Sequence, residues 1–242
     1  MKEPSGNGWK KMCFCLLFFF LAYMAGQGVA AEKNAVKTIS KGHIKMAAEE
    51  ENETAEEEKK EIALTFDDGP NPEYTPMLLK GLRKRNVKAT FFLLGEEVEQ
   101  YPDIVKEMVE DGHLLGVHSY QHVNFKEAGV EEALKQIEKT QEAIRNVTGS
   151  NCGYIRPPYG CWQKELDERE NLIEVLWDVD PRDWGTKDAD LVVKRILKNT
   201  KEGDIILLHD ASKSSVQAAF TVIDVLKKQG YSFVTVEELL LD

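Results

Sequence analysis

Two adjacent carboxylates, Asp67 and Asp68, follow the apolar run Ile62-Ala63-Leu64 and stand before Gly69-Pro70-Asn71-Pro72. A buried strand thus ends on a pair of acids, and the Gly-Pro sequence turns the chain into a loop. Neighbouring residues at a strand end point in different directions, so the two carboxylates can take different jobs. Taken alone, an Asp-Asp-Gly stretch is also an ordinary turn. Fifty residues on, His118 and His122 are spaced four apart behind the apolar Leu114-Leu115-Gly116-Val117. On a helical turn they share a face, with nitrogens close enough for one metal ion. Either could instead be a capping or surface histidine. Two histidines plus one carboxylate, drawn from Asp67 or Asp68, leave coordination positions open for water, the catalytic form of a zinc-type site.

Something must bring these residues together. From Glu61 onward, short β-rich runs alternate with amphipathic patterns. The strands are expected at 62–66, 89–93, 114–118, 153–156, 172–177, 204–208 and 232–235, and the helices near 74–85, 102–111, 130–148, 189–199 and 215–229. In 130–148, Leu134, Ile137 and Ile144 share one face. Continuous apolar runs such as Ile205-Ile206-Leu207-Leu208 suit strands buried on both faces. The alternation implies an α/β fold with about seven parallel strands, curled into a closed or nearly closed barrel. The polar residues out of place in this pattern all fall at the carboxyl ends of strands: Asp67, Asp68, His118, Arg156, the run Asp178 to Asp183, and His209-Asp210. That rim is where α/β barrels build active sites.

Five stretches carry a resemblance: Thr65-Phe66-Asp67-Asp68-Gly69, His118-Ser119-Tyr120-Gln121-His122, Arg156-Pro157-Pro158-Tyr159-Gly160, Asp180-Pro181-Arg182-Asp183-Trp184 and Leu207-Leu208-His209-Asp210. In this order they resemble the motifs of polysaccharide deacetylases, the family with the NodB homology domain, also called carbohydrate esterase family 4. The likeness spans nearly all of residues 61–242 and implies a distorted (β/α) barrel. It implies that Asp68, His118 and His122 hold one divalent metal ion, usually zinc. Asp67 becomes the general base toward the attacking water, and Arg156 pairs with it to keep it ionised and oriented. His209 becomes the general acid toward the leaving amine, oriented by Asp183. A backbone N–H near Tyr159 stabilises the oxyanion. Leu207 and Trp184 wall a pocket for the acetyl methyl, with Pro157 and Tyr159 also on the substrate side. None of the motif residues departs from the pattern.

The rest of the chain sets the context. Its 242 residues are 42% hydrophobic and 30% charged with net charge −11, which is globular and argues against a nucleic-acid backbone as partner. Lys2, Lys10 and Lys11 precede an apolar run from Met12 to Ala25 and then small residues to Ala31. Residues 1–31 read as a signal peptide cleaved after Ala31 or as an uncleaved membrane anchor. Residues 32–60 read as an acidic flexible linker, and 61–242 as the catalytic domain. Cys152 and Cys161 either form a disulfide, permitted in an exported domain, or stay as free thiols. His43 and His113 receive no role.

The resulting expectation is an exported, monomeric, metal-dependent hydrolase that removes acetyl from N-acetylglucosamine units of a β-1,4-linked polysaccharide, foremost peptidoglycan. The same motifs fit an O-acetyl esterase acting on xylan. A non-catalytic glycan-binding wall protein is the reading from another class, and it leaves the acid and the base without a purpose.

Overall fold

The structure is a computed structural model and describes residues 60–169 and 171–241. The segments expected to be a targeting sequence (1–31) and a linker (32–60) lie outside the described residues, except Lys60, which already opens the first strand. Among the described residues no helix is long and apolar enough to cross a membrane.

Seven strands form one sheet with every pairing parallel. They are β1 (Lys60–Asp67), β2 (Thr90–Leu93), β3 (Leu114–Val117), β4 (Tyr154–Ile155), β5 (Ile173–Glu174), β6 (Ile205–His209) and β7 (Tyr231–Val234). Strand β1 is the axis of the sheet, and from Ile62 to Asp67 every residue is buried. That is why it reads as a continuous apolar run rather than an alternating one. One edge of β1 takes β6, with Ala63 opposite Ile205 and Asp67 opposite His209. The other edge is shared: its first half pairs with β7, with Ala63 opposite Val234, and its second half with β2. From β2 the sheet continues through β3 and β4 to β5.

The barrel does not close by strand pairing. The chain after β5 crosses the gap: Val175 donates its N–H to Ile155 O on β4 at 2.8 Å, and Val179 pairs with Ile206 on the free edge of β6. One extended segment thus bridges both ends of a curled sheet. This shortens β4 and β5 to two residues each, against the four and six expected, because the chain leaves the ladder to make the crossing. Ile173 remains 53% exposed at that open edge.

Helices cover the outer face: α1 (Tyr74–Arg85), α2 (Gly95–Gln100), α3 (Pro102–Glu110), α4 (Phe125–Ala128), α5 (Val130–Thr148), α6 (Ala189–Asn199) and α7 (Lys213–Lys228), while α8 (Val236–Leu241) packs Val236 with Ala63 and Phe92 of the other face. The long ones follow the apolar periodicity. In α5, Ala133, Ile137, Ala143 and Ile144 are buried, and Gly149 ends the helix at φ 78°, a conformation glycine adopts without penalty. Helices α2, α4 and α8 escaped the sequence reading because four to six residues are too few to display a period. Burial of Ile62, Leu64 and Phe66 against Leu78, Leu82, Val222 and their neighbours forms the main core, each such side chain contributing roughly 1.5–3 kcal/mol.

Candidate active site

The carboxyl ends of β1, β3, β4 and β6 converge on one cavity of about 430 Å3. Asp67 ends β1 and is 2% exposed. Asp68 is the first residue beyond the strand and takes φ 72°, a left-handed conformation that Asp tolerates better than most residues. That turn sends the two side chains different ways. Asp67 Oδ1 receives Arg156 Nη1 at 2.8 Å, whereas Asp68 Oδ1 lies 3.4 Å from His118 Nε2 and 3.4 Å from His122 Nε2.

The two histidines do not sit on a helical turn, contrary to the sequence reading. Residues 118–124 are loop, with Ser119 at φ 65° and His122 at φ 54°. Side chains replace the helical hydrogen bonds there: Gln136 Oε1 accepts the N–H groups of Tyr120 and Gln121, and Ser119 Oγ accepts that of Val123. The start of α2 secures the other side, Gly95 and Glu96 donating to the carbonyls of Ser119 and Tyr120. The imidazoles still meet, with ring centroids 5.1 Å apart.

His118 is fixed in one tautomer. Its Nδ1 is 2.6 Å from the Arg156 carbonyl oxygen, which can only accept, so Nδ1 carries the hydrogen and Nε2 is bare. Burial pulls its pKa down to about 3, so the ring is neutral. Asp68 Oδ1 is buried without a hydrogen-bond partner. Asp68 Oδ1 and His118 Nε2 therefore present bare acceptors to one point that His122 Nε2 also faces, a cluster that suits a cation. Neighbouring ligands on a tetrahedral zinc bonded at about 2.0–2.1 Å stand about 3.3–3.4 Å apart, which matches the Asp68–histidine separations. The residues fit a divalent ion.

Arg156 is fully buried and ties the curled sheet together from inside. Its Nη1 also donates to Thr65 Oγ1 at 2.7 Å, and its Nε and Nη2 donate to the carbonyls of Val175 and Leu176, on the segment that bridges the gap. Its guanidinium packs 4.2 Å from the Phe92 ring centroid. Arg156 pulls the Asp67 carboxyl toward its ionised form, as the pairing implies, but it is not the largest influence there. Burial pushes the Asp67 carboxyl up and outweighs the opposing pull of Arg156 and His209. Asp67 is consequently a carboxylate with heightened affinity for a proton, while Arg156 orients it.

Across the cavity, Asp183 is buried at a 3-10 turn (Asp183–Gly185). Its two oxygens grip one residue: Oδ1 is 2.8 Å from His209 Nδ1, and Oδ2 accepts the His209 backbone N–H at 2.9 Å. Burial opposes the charge on His209, but the hydrogen bond and charge of Asp183, aided by Asp67 and Asp68, lift its pKa to about 9. His209 Nε2 lies 3.9 Å from Asp68 Oδ2. The cavity thus holds a proton-avid carboxylate on one side and a protonated imidazole on the other, flanking the metal-type cluster. That is a layout for general base and general acid action on one substrate atom group.

The match to known proteins agrees with this geometry. A family model described as polysaccharide deacetylase matches residues 54–175. The chain belongs to the polysaccharide deacetylase family. It is 43% identical over 180 residues to peptidoglycan-N-acetylglucosamine deacetylase PgdA of Listeria monocytogenes serotype 1/2a (strain 10403S), covering 74% of this chain and 39% of that protein. It is 40% identical over 210 residues to peptidoglycan-N-acetylmuramic acid deacetylase PdaC of Bacillus subtilis (strain 168), covering 87% of this chain and 45% of PdaC. The chain therefore spans less than half the length of these two relatives. The solved structure of peptidoglycan deacetylase PdaC from Bacillus subtilis superposes with a TM-score of 0.73 at 42% identity, covering 75% of this chain and 90% of that one.

Within this family member, the remaining expected residues fall out as follows. Tyr159, Trp184 and Leu207 line the cavity, and the Tyr159 ring stands 4.7 Å from that of His122. Trp184 is 68% exposed and Tyr159 63%, so both residues stand open to solvent at the cavity. Pro157 is buried and does not line the cavity; its carbonyl accepts Gly160 N–H in the turn that carries Tyr159. Trp177 also lines the cavity and was missed, and Asp180, placed on the strand-end rim by the sequence but given no role, lines it too. Thr65, which anchors Arg156 and donates to Ile206 O, was missed too, because a strand threonine gives no signal in sequence. Cys152 and Cys161 are separate free thiols, so no disulfide clamps the Tyr159 turn.

Proposed function

We propose that this chain is a metal-dependent hydrolase that removes N-acetyl groups from N-acetylglucosamine residues of peptidoglycan. The observation that carries the reading is one cavity in which the Arg156-held Asp67 and the Asp183-held His209, both with raised pKa, flank the Asp68–His118–His122 cluster. A purely binding protein needs neither. PgdA and PdaC are both named as peptidoglycan deacetylases, which favours that polymer.

Asp68, His118 and His122 are the residues that would hold a divalent ion, and their two-nitrogen, one-carboxylate set favours zinc. Such an ion supplies Lewis acidity to a water and to the acetyl carbonyl oxygen. Asp67 takes the proton from the attacking water at Oδ2, because Arg156 holds its Oδ1. Tyr159, turned back at φ 60°, offers its backbone N–H to the developing oxyanion. His209 delivers the proton from Nε2 to the sugar nitrogen as the C–N bond breaks, while Asp183 keeps Nδ1–H in place and stabilises the imidazolium. Leu207, 4% exposed, and Trp184 shape the space for the methyl group, and the exposed Trp184 and Tyr159 rings suit stacking on sugar faces. Residues 1–31 fit export of the chain to the cell wall, where this polymer lies.

The test is acetate release from N-acetylglucosamine oligomers and from peptidoglycan, before and after chelation and zinc restoration. Zinc-restored release that is absent in Asp67→Asn supports the proposal. Release from acetylxylan alone replaces it with an esterase, and no release from any substrate by folded, zinc-binding protein points to a binding role.

A further inference from the structure

Asp210 follows His209 directly and is fully buried, yet it does not line the catalytic cavity. Its Oδ2 accepts the Thr75 hydroxyl at the start of α1. Thr75 Oγ1 in turn accepts the Asn71 N–H at 2.7 Å, and Asn71 Oδ1 accepts the N–H groups of Glu73 and Tyr74 at 2.9 Å each. The other oxygen, Asp210 Oδ1, is buried with no hydrogen-bond partner. A buried carboxylate with an orphaned oxygen costs free energy that a small apolar residue would avoid. Its place in the fold accounts for keeping it. The β1–β6 ladder ends at the pair Asp67–His209, so residues 68 and 210 are the first beyond the reach of strand pairing. The Asp210 carboxylate lies flat against the backbone there: a carbon added to Gly69 would come within 2.5 Å of its Oδ2. Gly69 O accepts Leu94 N–H at 3.1 Å, closing the loop from the β2 side.

We propose that Asp210 is a positioning residue: pinned by Thr75 and pressed against Gly69, it fixes the loop that aims Asp68 at the two histidines and sets its span to His209. Asp68 Oδ1 has no hydrogen bond of its own, and the residue sits in a left-handed conformation, φ 72°, that persists only when its surroundings impose it. Glycine at 69 is required by the same contact, since any side chain there would displace the carboxylate.

The test compares Asp210→Ala, Asp210→Asn and Thr75→Val in the full chain. Two quantities are read: zinc affinity by competition with a chromophoric chelator, and kcat and KM for acetate release at saturating zinc. Asn keeps an oxygen for the Thr75 hydroxyl, whereas Ala and Thr75→Val break the link. Supporting partners of metal sites are worth about 10- to 100-fold in affinity or activity, so Asp210→Ala is expected to weaken zinc about tenfold and lower kcat about tenfold with KM little changed. Thr75→Val moves both in the same direction, and Asp210→Asn recovers to within about threefold of the parent. A merely structural role would lower thermal stability without this split or this rescue. Folded Asp210→Ala with parental zinc affinity and kcat overturns the proposal, as does Asp210→Asn impaired as badly as Asp210→Ala. If Asp210→Ala fails to fold, unchanged zinc affinity in Thr75→Val overturns it. If even the parent chain releases no acetate, the deacetylase reading falls and the zinc affinities alone decide the role of Asp210.

Discussion

The charge state of His209 depends on Asp183, and Asp183→Asn tests that dependence. The carboxylate takes both the ring Nδ1–H and the backbone N–H of His209. Asn keeps one acceptor oxygen but brings an NH2 group against a donor and removes the negative charge. The rise of the His209 pKa from 6.5 to about 9 corresponds to roughly 3 kcal/mol of preference for the imidazolium. Asp183 is its strongest support, working against burial, which pulls the other way. Without Asp183 the pKa is expected near 6.5 or below. At pH 7.5 a group with pKa about 9 is about 97% protonated and one at 6.5 about 9%, so kcat falls at least about tenfold from acid depletion alone. The upper limb of the kcat–pH profile, where activity is lost as the acid deprotonates, moves from near pH 9 to near 6.5. The assay is acetate release from pH 5 to 10 at saturating substrate, with an NMR titration of the His209 ring as the direct readout. A folded variant whose upper limb and ring titration both stay near 9 would refute the reasoning and assign the raised pKa to Asp67 and Asp68.

Other outcomes follow from the same geometry. Asp67→Asn lowers kcat by about 10²- to 10⁴-fold, the usual weight of a general base, while zinc binding measured by chelator competition persists, because the carboxylate 3.4 Å from both histidine Nε2 atoms is that of Asp68 and not of Asp67. Zinc at 100 times its dissociation constant raises the stability of the folded chain by about 2.7 kcal/mol, read as a higher melting temperature than in excess chelator; an unchanged melting temperature counts against the site. His113 is buried with Nδ1 accepting the Ala89 N–H at 3.2 Å, and burial lowers its pKa from 6.5 to about 4. A folded-state value below the unfolded one means its contribution is intact above pH 6.5 and is lost as pH falls toward 4, by roughly 2–3 kcal/mol at pH 4.5. Urea denaturation of the parent and His113→Gln at pH 7.5 and 4.5 measures this, and equal pH sensitivity in both removes His113 from the account.

The sequence by itself determined the parts and their rim. Apolar runs and helical periods located all seven strands and the five long helices, because burial on both faces of a parallel sheet and on one face of a helix leaves a pattern in residue order. The ordered motifs put Asp67, Asp68, His118, Arg156, Asp183 and His209 near strand ends; Asp67, Asp68, His118, His122 and His209 line one cavity with Tyr159, Trp184 and Leu207, and Arg156 and Asp183 hold Asp67 and His209 from outside that lining. Tertiary structure decided what depends on residues far apart in the chain. The barrel stays open, with Val175 to Val179 spanning the gap and Arg156 bracing it from within, because closure is a matter of where the chain crosses and not of any local propensity. His118 and His122 meet through a left-handed loop anchored by Gln136, not through helical spacing. The Asp67 carboxyl is raised because burial outweighs its cation, a balance set by the surrounding core. Asp210, next to a motif histidine, acquires its place against Gly69 only when β1 and β6 lie side by side, since a contact 141 residues apart in sequence has no signature in either neighbourhood.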